Sequence, residues 1–149
     1  MIFEKRETVL RTNAIKSQIV RDLFVRTADE NYIAARWCFL NGLDQDFLWL
    51  ALHATEKYYK ACLAVNGFNT KKYSHSLTAL HESVKQFAPT LLPNELQKPS
   101  KLIGSQWRET SIIQYLNHLE TYGNQHSGSV PPECCATLLT SDLAAGWTR

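Results

Sequence analysis

The sequence lacks any apolar run of about 18 residues, the length that a membrane-spanning helix needs, and its first residues lack the apolar block of a secretory signal. The sequence also lacks a large excess of positive or negative charge. The 16 Lys and Arg and 14 Asp and Glu leave a net charge of +2 on 149 residues. This balance excludes a protein that coats nucleic acid by charge alone, and it excludes an acidic disordered chain. We therefore expect a globular, cytoplasmic protein.

The sequence motifs of several common catalytic sites are missing as well. There is no glycine-rich phosphate loop, no HExxH and no GxSxG. No two cysteines have a two-residue spacing, and no histidine follows them at zinc-finger distance; the cysteines are Cys38, Cys62, Cys134 and Cys135. The sequence therefore predicts no metal, no cofactor and buried, reduced thiols, with redox activity of the adjacent pair as the alternative.

Helical periodicity is the main pattern that is present, and we find no convincing strand pattern. The first body helix is predicted to begin at the capping box Thr27–Glu30, because a Thr is followed three residues later by a Glu. Ile33, Trp37 and Leu40 form its predicted apolar face. Gly42 stands where a helix-ending glycine is expected.

Three further helices are predicted downstream. The longest is capped by Asp44 and ends near Asn66 and Gly67; the next runs from His75 to Pro89, and the last from about residue 105 to 122. The predicted fold is all-α, an antiparallel up-and-down bundle of four to five helices. We divide the chain into a basic N-terminal arm or helix (1–26), the bundle (27–126) and a C-terminal tail (127–149).

The longest predicted helix has one narrow polar face, formed by His53, Glu56, Lys57 and Lys60. One interpretation is a phosphate or base contact, with the lysines as point charges and the histidine as a switchable donor. The other is a solvated outer stripe in which Glu56 pairs with Lys60 at i,i+4, and periodicity alone favours it. The four tryptophans leave a similar choice between base stacking and core or interface packing, and the second is favoured; they are Trp37, Trp49, Trp107 and Trp147.

Four segments of the sequence, at residues 28–36, 47–61, 71–77 and 115–124, together resemble HEPN domains. Residues 28–36 and 47–61 are similar to the first two core helices of that family, and 71–77 to its loop ending in His-Asp-Leu. Residues 115–124 look like its closing helix. The resemblance covers roughly residues 27–126, with the four segments in the family's order.

The resemblance implies a helical, usually dimeric module that binds nucleotides or RNA. Many bacterial members pair with a minimal nucleotidyltransferase as toxin–antitoxin modules. The family's active ribonucleases have an arginine shortly before a histidine near the last helix, but here nine residues separate Arg108 from His118, and Gln125 precedes His126. We therefore expect a non-catalytic binding module. The alternatives are a metal-independent ribonuclease toxin using Arg108, His118 and His126 at unusual spacing, or a pure protein-interaction module.

The candidate ligand-binding residues are Lys57, Lys60, His75, His53 and Arg36. His75 is predicted to lie at a helix N-terminus, where backbone N–H groups favour an anion, and Lys71 and Lys72 add positive charge beside it. Glu56 is interpreted as structural. The predicted partners are a nucleotide or RNA, a nucleotidyltransferase and a second copy of the chain. The homodimer is inferred partly from apolar residues in excess of what one bundle buries: Trp107, Ile112, Ile113 and those of the arm.

Overall fold

A computed structural model describes residues 2–96 and 110–123. Its helices are α1 (Ile2–Val20), α2 (Arg26–Leu40), α3 (Asp44–Val65), α4 (Leu77–Phe87) and α5 (Ile112–Gly123). A π-helical turn, Arg21–Val25, joins α1 to α2, and a 3₁₀ turn, Thr70–Tyr73, precedes α4. Within these ranges the only β pairing is an isolated antiparallel bridge between Glu95 and Ser111. The all-α prediction is confirmed, and none of the described helices is long and apolar enough to span a membrane.

The predicted helix start at Thr27 is wrong. The chain is already helical from Ile2, so the first turn of α2 continues the π-helical turn. The Thr27 hydroxyl donates a hydrogen bond back to the Leu23 carbonyl, at 3.2 Å, and does not cap the helix. The physical reason is that the preceding turn supplies acceptors for the N–H groups that a capping box would otherwise satisfy.

Glycine ends α2 and α3 as predicted. Gly42 has φ +71° and Gly67 has φ +87°, which a residue without Cβ adopts at no steric cost. After α3, the Phe68 N–H donates to the Leu63 carbonyl at 3.0 Å, which completes a Schellman motif. Asp44 is the first residue of α3, but no side-chain cap is formed there, so its predicted capping role is wrong.

Helix α3 lies at the centre of the fold and contacts α1, α2, α4 and α5. Phe47, Leu48 and Leu52 on α3 form the main core with side chains from α2, α4 and α5. A smaller cluster joins Leu63 to α4. The apolar side of α3 is therefore mostly buried, and Val65 at its end is 47% exposed.

The last helix begins later than predicted. Ser111 and Gln114 form a reciprocal capping box, with each side chain accepting a hydrogen bond from the other's backbone N–H at 3.2 Å. Thr110 and Ser111 are consequently not helical, and Ser111 bridges to Glu95. The predicted helical residues 105–109 lie outside the described residues.

Two predicted apolar surfaces are arranged differently from expectation. On α2 the small residues Ala28, Ala35 and Cys38 are buried, whereas the predicted apolar face is exposed to solvent. On α5, Ile112 is buried and Ile113 half-buried, so the predicted excess of exposed apolar surface is absent at Ile112.

Trp107 lies outside the described residues, as do Trp147, Cys134 and Cys135. The prediction of buried thiols is confirmed for Cys38, and Cys62 is half-buried.

Candidate functional site

A buried carboxylate organises the polar face of α3. Glu56 is only 6% exposed. Its Oε1 accepts a hydrogen bond from Lys60 Nζ at 2.5 Å, and both of its oxygens lie 3.1 Å from His75 Nδ1. His53 Nδ1 lies 3.7 Å from Oε2. Four polar side chains that the sequence singled out therefore meet in one cluster.

The cluster follows from helical spacing and from one loop. His53, Glu56 and Lys60 are separated by three and four residues, so they share one face of α3. His75 is brought to this face by the 3₁₀ turn Thr70–Tyr73, in which the Asn69 side chain accepts a hydrogen bond from the Lys71 N–H at 3.0 Å. The loop therefore folds back over α3 at the level of Glu56.

The interpretation of this face as a solvated stripe is wrong. Glu56 does pair with Lys60 at i,i+4, but the Lys60 side chain is only 16% exposed. Burial by itself raises the pKa of Glu56, and the hydrogen bonds from Lys60 and His75 outweigh that effect and hold the pKa below its usual value. The Lys60 ammonium is therefore paired with a buried carboxylate.

His75 is the exposed member of the cluster, with a side chain 74% exposed. Its Nδ1 faces the Glu56 carboxylate, so the Nε2 edge of the ring is the part left to meet a ligand. A carboxylate at Nδ1 fixes the ring orientation and favours the tautomer with a proton at Nδ1. When the ring is protonated, Nε2 also becomes a donor, which suits a phosphate oxygen.

His53 is held more tightly than His75. Its ring makes an edge-to-face contact with Trp49, with centroids 4.2 Å apart. Burial is the main reason that its pKa is lowered, while Glu56 opposes the shift and the charge of Lys57 adds to it. His53 is therefore a packed, predominantly neutral ring at neutral pH, and Trp49 serves as its packing partner.

The remaining predicted cations lie at different distances from this cluster. Lys57 is half-buried on α3, near enough to affect the pKa of His53. Lys71 and Lys72 are exposed on the 3₁₀ turn, and Lys72 Nζ lies 4.6 Å from the centre of the Tyr73 ring. Arg36 is half-buried on α2, and the contacts described for Glu56 do not include it.

The predicted anion site at the start of α4 is already occupied by the protein itself. The backbone N–H groups of Leu77 and Thr78 both donate to Oε1 of Glu120, the latter at 3.1 Å. The Ser76 hydroxyl accepts from the Ala79 N–H at 3.3 Å. A phosphate at this terminus is therefore ruled out in this conformation. Sequence reasoning missed Glu120, although it is the only acid in the α5 segment.

His118, one residue of the alternative ribonuclease site, faces the protein interior. Its Nε2 is buried without a hydrogen-bond partner among the described residues, and its ring packs against Tyr122 with centroids 4.6 Å apart. Burial lowers its pKa. Arg108 and His126 lie outside the described residues. The part of the chain that is described contains no group of three or more His, Cys, Asp and Glu residues suited to a metal ion.

Comparisons of the chain with protein-family models, with curated proteins and with solved structures found no match. The functional hypothesis therefore depends on the geometry around Glu56 and on the resemblance of individual segments.

Proposed function

We propose that this chain is a HEPN-like, non-catalytic module that binds a phosphate-bearing ligand, a nucleotide or RNA, at the surface around His75. The observation that carries the proposal is the hydrogen-bonded contact between the exposed His75 ring and the buried Glu56 carboxylate. A buried acid that orients an exposed histidine is what a binding site requires, because such a hydrogen bond holds the ring in one orientation before a ligand arrives.

The charges around His75 support the same proposal. Lys71 and Lys72 are exposed, four and three residues before the histidine, and Lys57 extends the positive surface along α3. Lys60 cancels the charge of Glu56, so the carboxylate does not oppose an approaching anion at full strength. In this proposal His75, Lys71, Lys72 and Lys57 contact the ligand, whereas Lys60 and His53 position the cluster.

The family-level predictions belong to the same proposal. The resemblance supports an antiparallel up-and-down arrangement of four to five helices and a homodimer, and the reduced thiols support a cytoplasmic location. It also supports a nucleotidyltransferase partner in a toxin–antitoxin pair. Arg36 stays a predicted ligand residue on α2, outside the cluster described for Glu56.

Fluorescence anisotropy with a labelled single-stranded RNA, and with a labelled adenine nucleotide, tests the proposal. We expect Lys71→Ala combined with Lys72→Ala to weaken RNA binding about tenfold or more and to flatten the slope of log K against log salt by about 0.7 for each lost contact. Lys85→Ala is the matched control, because its Nζ binds Asn94 Oδ1 at 2.8 Å on another part of the surface. Binding in the double variant equal to that of the control contradicts the proposal and favours a protein-interaction module.

A second assay separates the binding module from the ribonuclease. We expect the purified wild-type chain to leave single-stranded RNA intact with and without a chelator. Metal-independent cleavage that disappears in His118→Ala or His126→Ala contradicts the non-catalytic proposal. His75→Ala should weaken binding in the first assay without changing the result of the second.

A further inference from the structure

Helix α2 exposes an apolar stripe on the side away from the core. Ile33 is 67% exposed, Trp37 60% and Leu40 71%. At 3.6 residues per turn these three positions and the preceding Arg26 and Glu30 fall within roughly 80° of the helix circumference. We call these five residues the α2 outer face. The opposite side of the helix carries the buried small residues of the core.

The spacing of this face is that of a helix-pairing seam. Its members alternate at intervals of four and three residues, which is the pattern of the facing positions in paired helices. Single exposed apolar residues are ordinary, but three large ones in a continuous stripe indicate an interaction surface. The core does not require them, because α2 packs on α3 through small residues on its other side.

The polar end of the face identifies the partner. Arg26 and Glu30 have side chains 75% and 62% exposed and lie 3.2 Å apart, as an i,i+4 pair. When a second copy of the helix runs antiparallel to the first, Arg26 of each copy faces Glu30 of the other. The two charges are therefore complementary in an antiparallel pair of identical helices. A parallel in-register pair would instead place Arg26 against Arg26 and Glu30 against Glu30.

The same register also matches the apolar residues. In an antiparallel helix pair the numbers of facing residues have a constant sum, so a register that pairs Arg26 with Glu30 brings Leu23, in the adjoining π-helical turn, to the level of Ile33. Leu23 is 62% exposed. We propose that the α2 outer face is a self-association surface on which a second copy of this chain packs antiparallel, with Arg26 of each copy facing Glu30 of the other.

This interface gives the proposed homodimer a location, and it does not depend on phosphate binding. It uses neither Trp107 nor the buried Ile112, on which the sequence-based homodimer prediction relied. It also uses none of the residues around His75. Failure of RNA binding and failure of self-association are therefore separate results, read from different variants.

Sedimentation equilibrium of the full chain tests the surface. We expect a monomer–dimer equilibrium with Kd of about 1 to 100 μM. Ile33→Glu should raise Kd at least roughly tenfold, because it places a charge against the apolar Leu23 of the other copy. Leu91→Glu is the matched control: Leu91 is 60% exposed outside α2, and its replacement should leave Kd unchanged. A wild-type monomer at about 100 μM overturns the proposal, as does equal dimerisation of the two variants with unchanged circular dichroism.

Charge exchange tests the partner more sharply. R26E alone and E30R alone should each shift the equilibrium towards monomer, because each creates repulsion across the seam. An equimolar mixture of the two variants should recover the dimer as a mixed pair. Absence of recovery in folded protein overturns the proposed contact.

Disulfide capture tests the direction. A mixture of the L23C and I33C variants should form a disulfide between residues 23 and 33 under mild oxidation, identified by peptide mass so that native thiols are not confused with it. A disulfide that joins residue 23 to residue 23 in the L23C variant overturns the antiparallel register.

Discussion

Both carboxylate oxygens of Glu56 lie 3.1 Å from Nδ1 of His75, a residue 19 positions later in the chain. This contact ties the loop before α4 to the middle of α3. It also joins a buried charge to an exposed ring, so the stability of the fold and the geometry of the proposed site depend on the same carboxylate.

Replacement of Glu56 tests this dependence. Glu56→Gln removes the charge that Lys60 and His75 share, and we expect it to lower the free energy of unfolding by about 2–3 kcal/mol. Glu82→Gln, an exposed position on α4, is the control and should change it by less than about 0.5 kcal/mol. Urea unfolding followed by circular dichroism measures both. Equal effects of the two variants would show that the cluster does not stabilise the fold.

Acid should weaken the fold in two pH ranges. Burial lowers the pKa of His118 and of His81 below the ordinary value of about 6.5. As the pH falls below about 6.5, the unfolded chain therefore binds protons that the folded chain does not, and stability falls by up to about 1.4 kcal/mol per pH unit for each such group. The lowered pKa of Glu56 adds a second loss below about pH 4.3, where the unfolded carboxyl is protonated first.

Urea unfolding between pH 7.5 and 3.5 measures this profile. His118→Phe should reduce the slope of the free energy of unfolding against pH in the upper pH range, by the contribution of up to one proton. The reason is that the ring nitrogen without a hydrogen-bond partner is removed. A free energy of unfolding that stays constant from pH 7 to 5 would contradict the assignment of neutral, buried histidines.

Two adjacent tyrosines on α3 should differ in their contribution to stability. The Tyr59 hydroxyl lies 2.9 Å from Nδ1 of the buried His81, and burial raises the pKa of Tyr59 to about 12. Tyr59→Phe leaves a buried ring nitrogen without its partner and should cost about 1–3 kcal/mol. Tyr58 donates to Asp29 at 2.6 Å on an exposed part of the surface, so Tyr58→Phe should cost less than about 1 kcal/mol. Thermal unfolding of the two variants decides the order, and the reverse order would contradict the structure.

Close packing at the end of α5 should not tolerate a methyl group. A Cβ on Gly123 would lie 3.0 Å from the Leu48 carbonyl oxygen and 3.0 Å from Leu52 Cβ on α3. Gly123→Ala should therefore destabilise the protein by about 1–3 kcal/mol, despite the better helix propensity of alanine. Asn117→Ala, at an exposed position of the same helix, should change stability by less than about 0.5 kcal/mol. Urea midpoints report the difference, and equal midpoints would exclude this close approach.

The end of a helix was predictable from sequence where a single residue determines it. The start was less predictable, because it depends on whether the preceding residues are themselves helical. Gly42 and Gly67 end their helices because glycine accepts a positive φ. The pattern of a capping box occurs at Thr27–Glu30 and again at Ser111–Gln114. Only the second acts as a cap, because Thr110 directly before it is not helical, whereas a continuous helix runs into the first.

The site was predictable as a helix face but not as a buried cluster. The spacing of His53, Glu56 and Lys60 fixes their shared face whatever surrounds α3. The burial of Glu56 depends on chain segments that return from elsewhere, above all the loop that carries His75. Glu120 shows the same limit: it satisfies the start of α4 from a position 42 residues beyond Thr78, a pairing that no local pattern encodes.

The π-helical turn Arg21–Val25 makes the number of residues between α1 and α2 more important than their identity. A π-helical turn accommodates one residue more than an α-helical turn. Insertion of one further residue here would exceed what the π turn absorbs and would rotate α1 by about 100° relative to α2. Val20, 7% exposed against the body, would then turn towards solvent. Insertions in this segment should therefore be far less tolerated than substitutions.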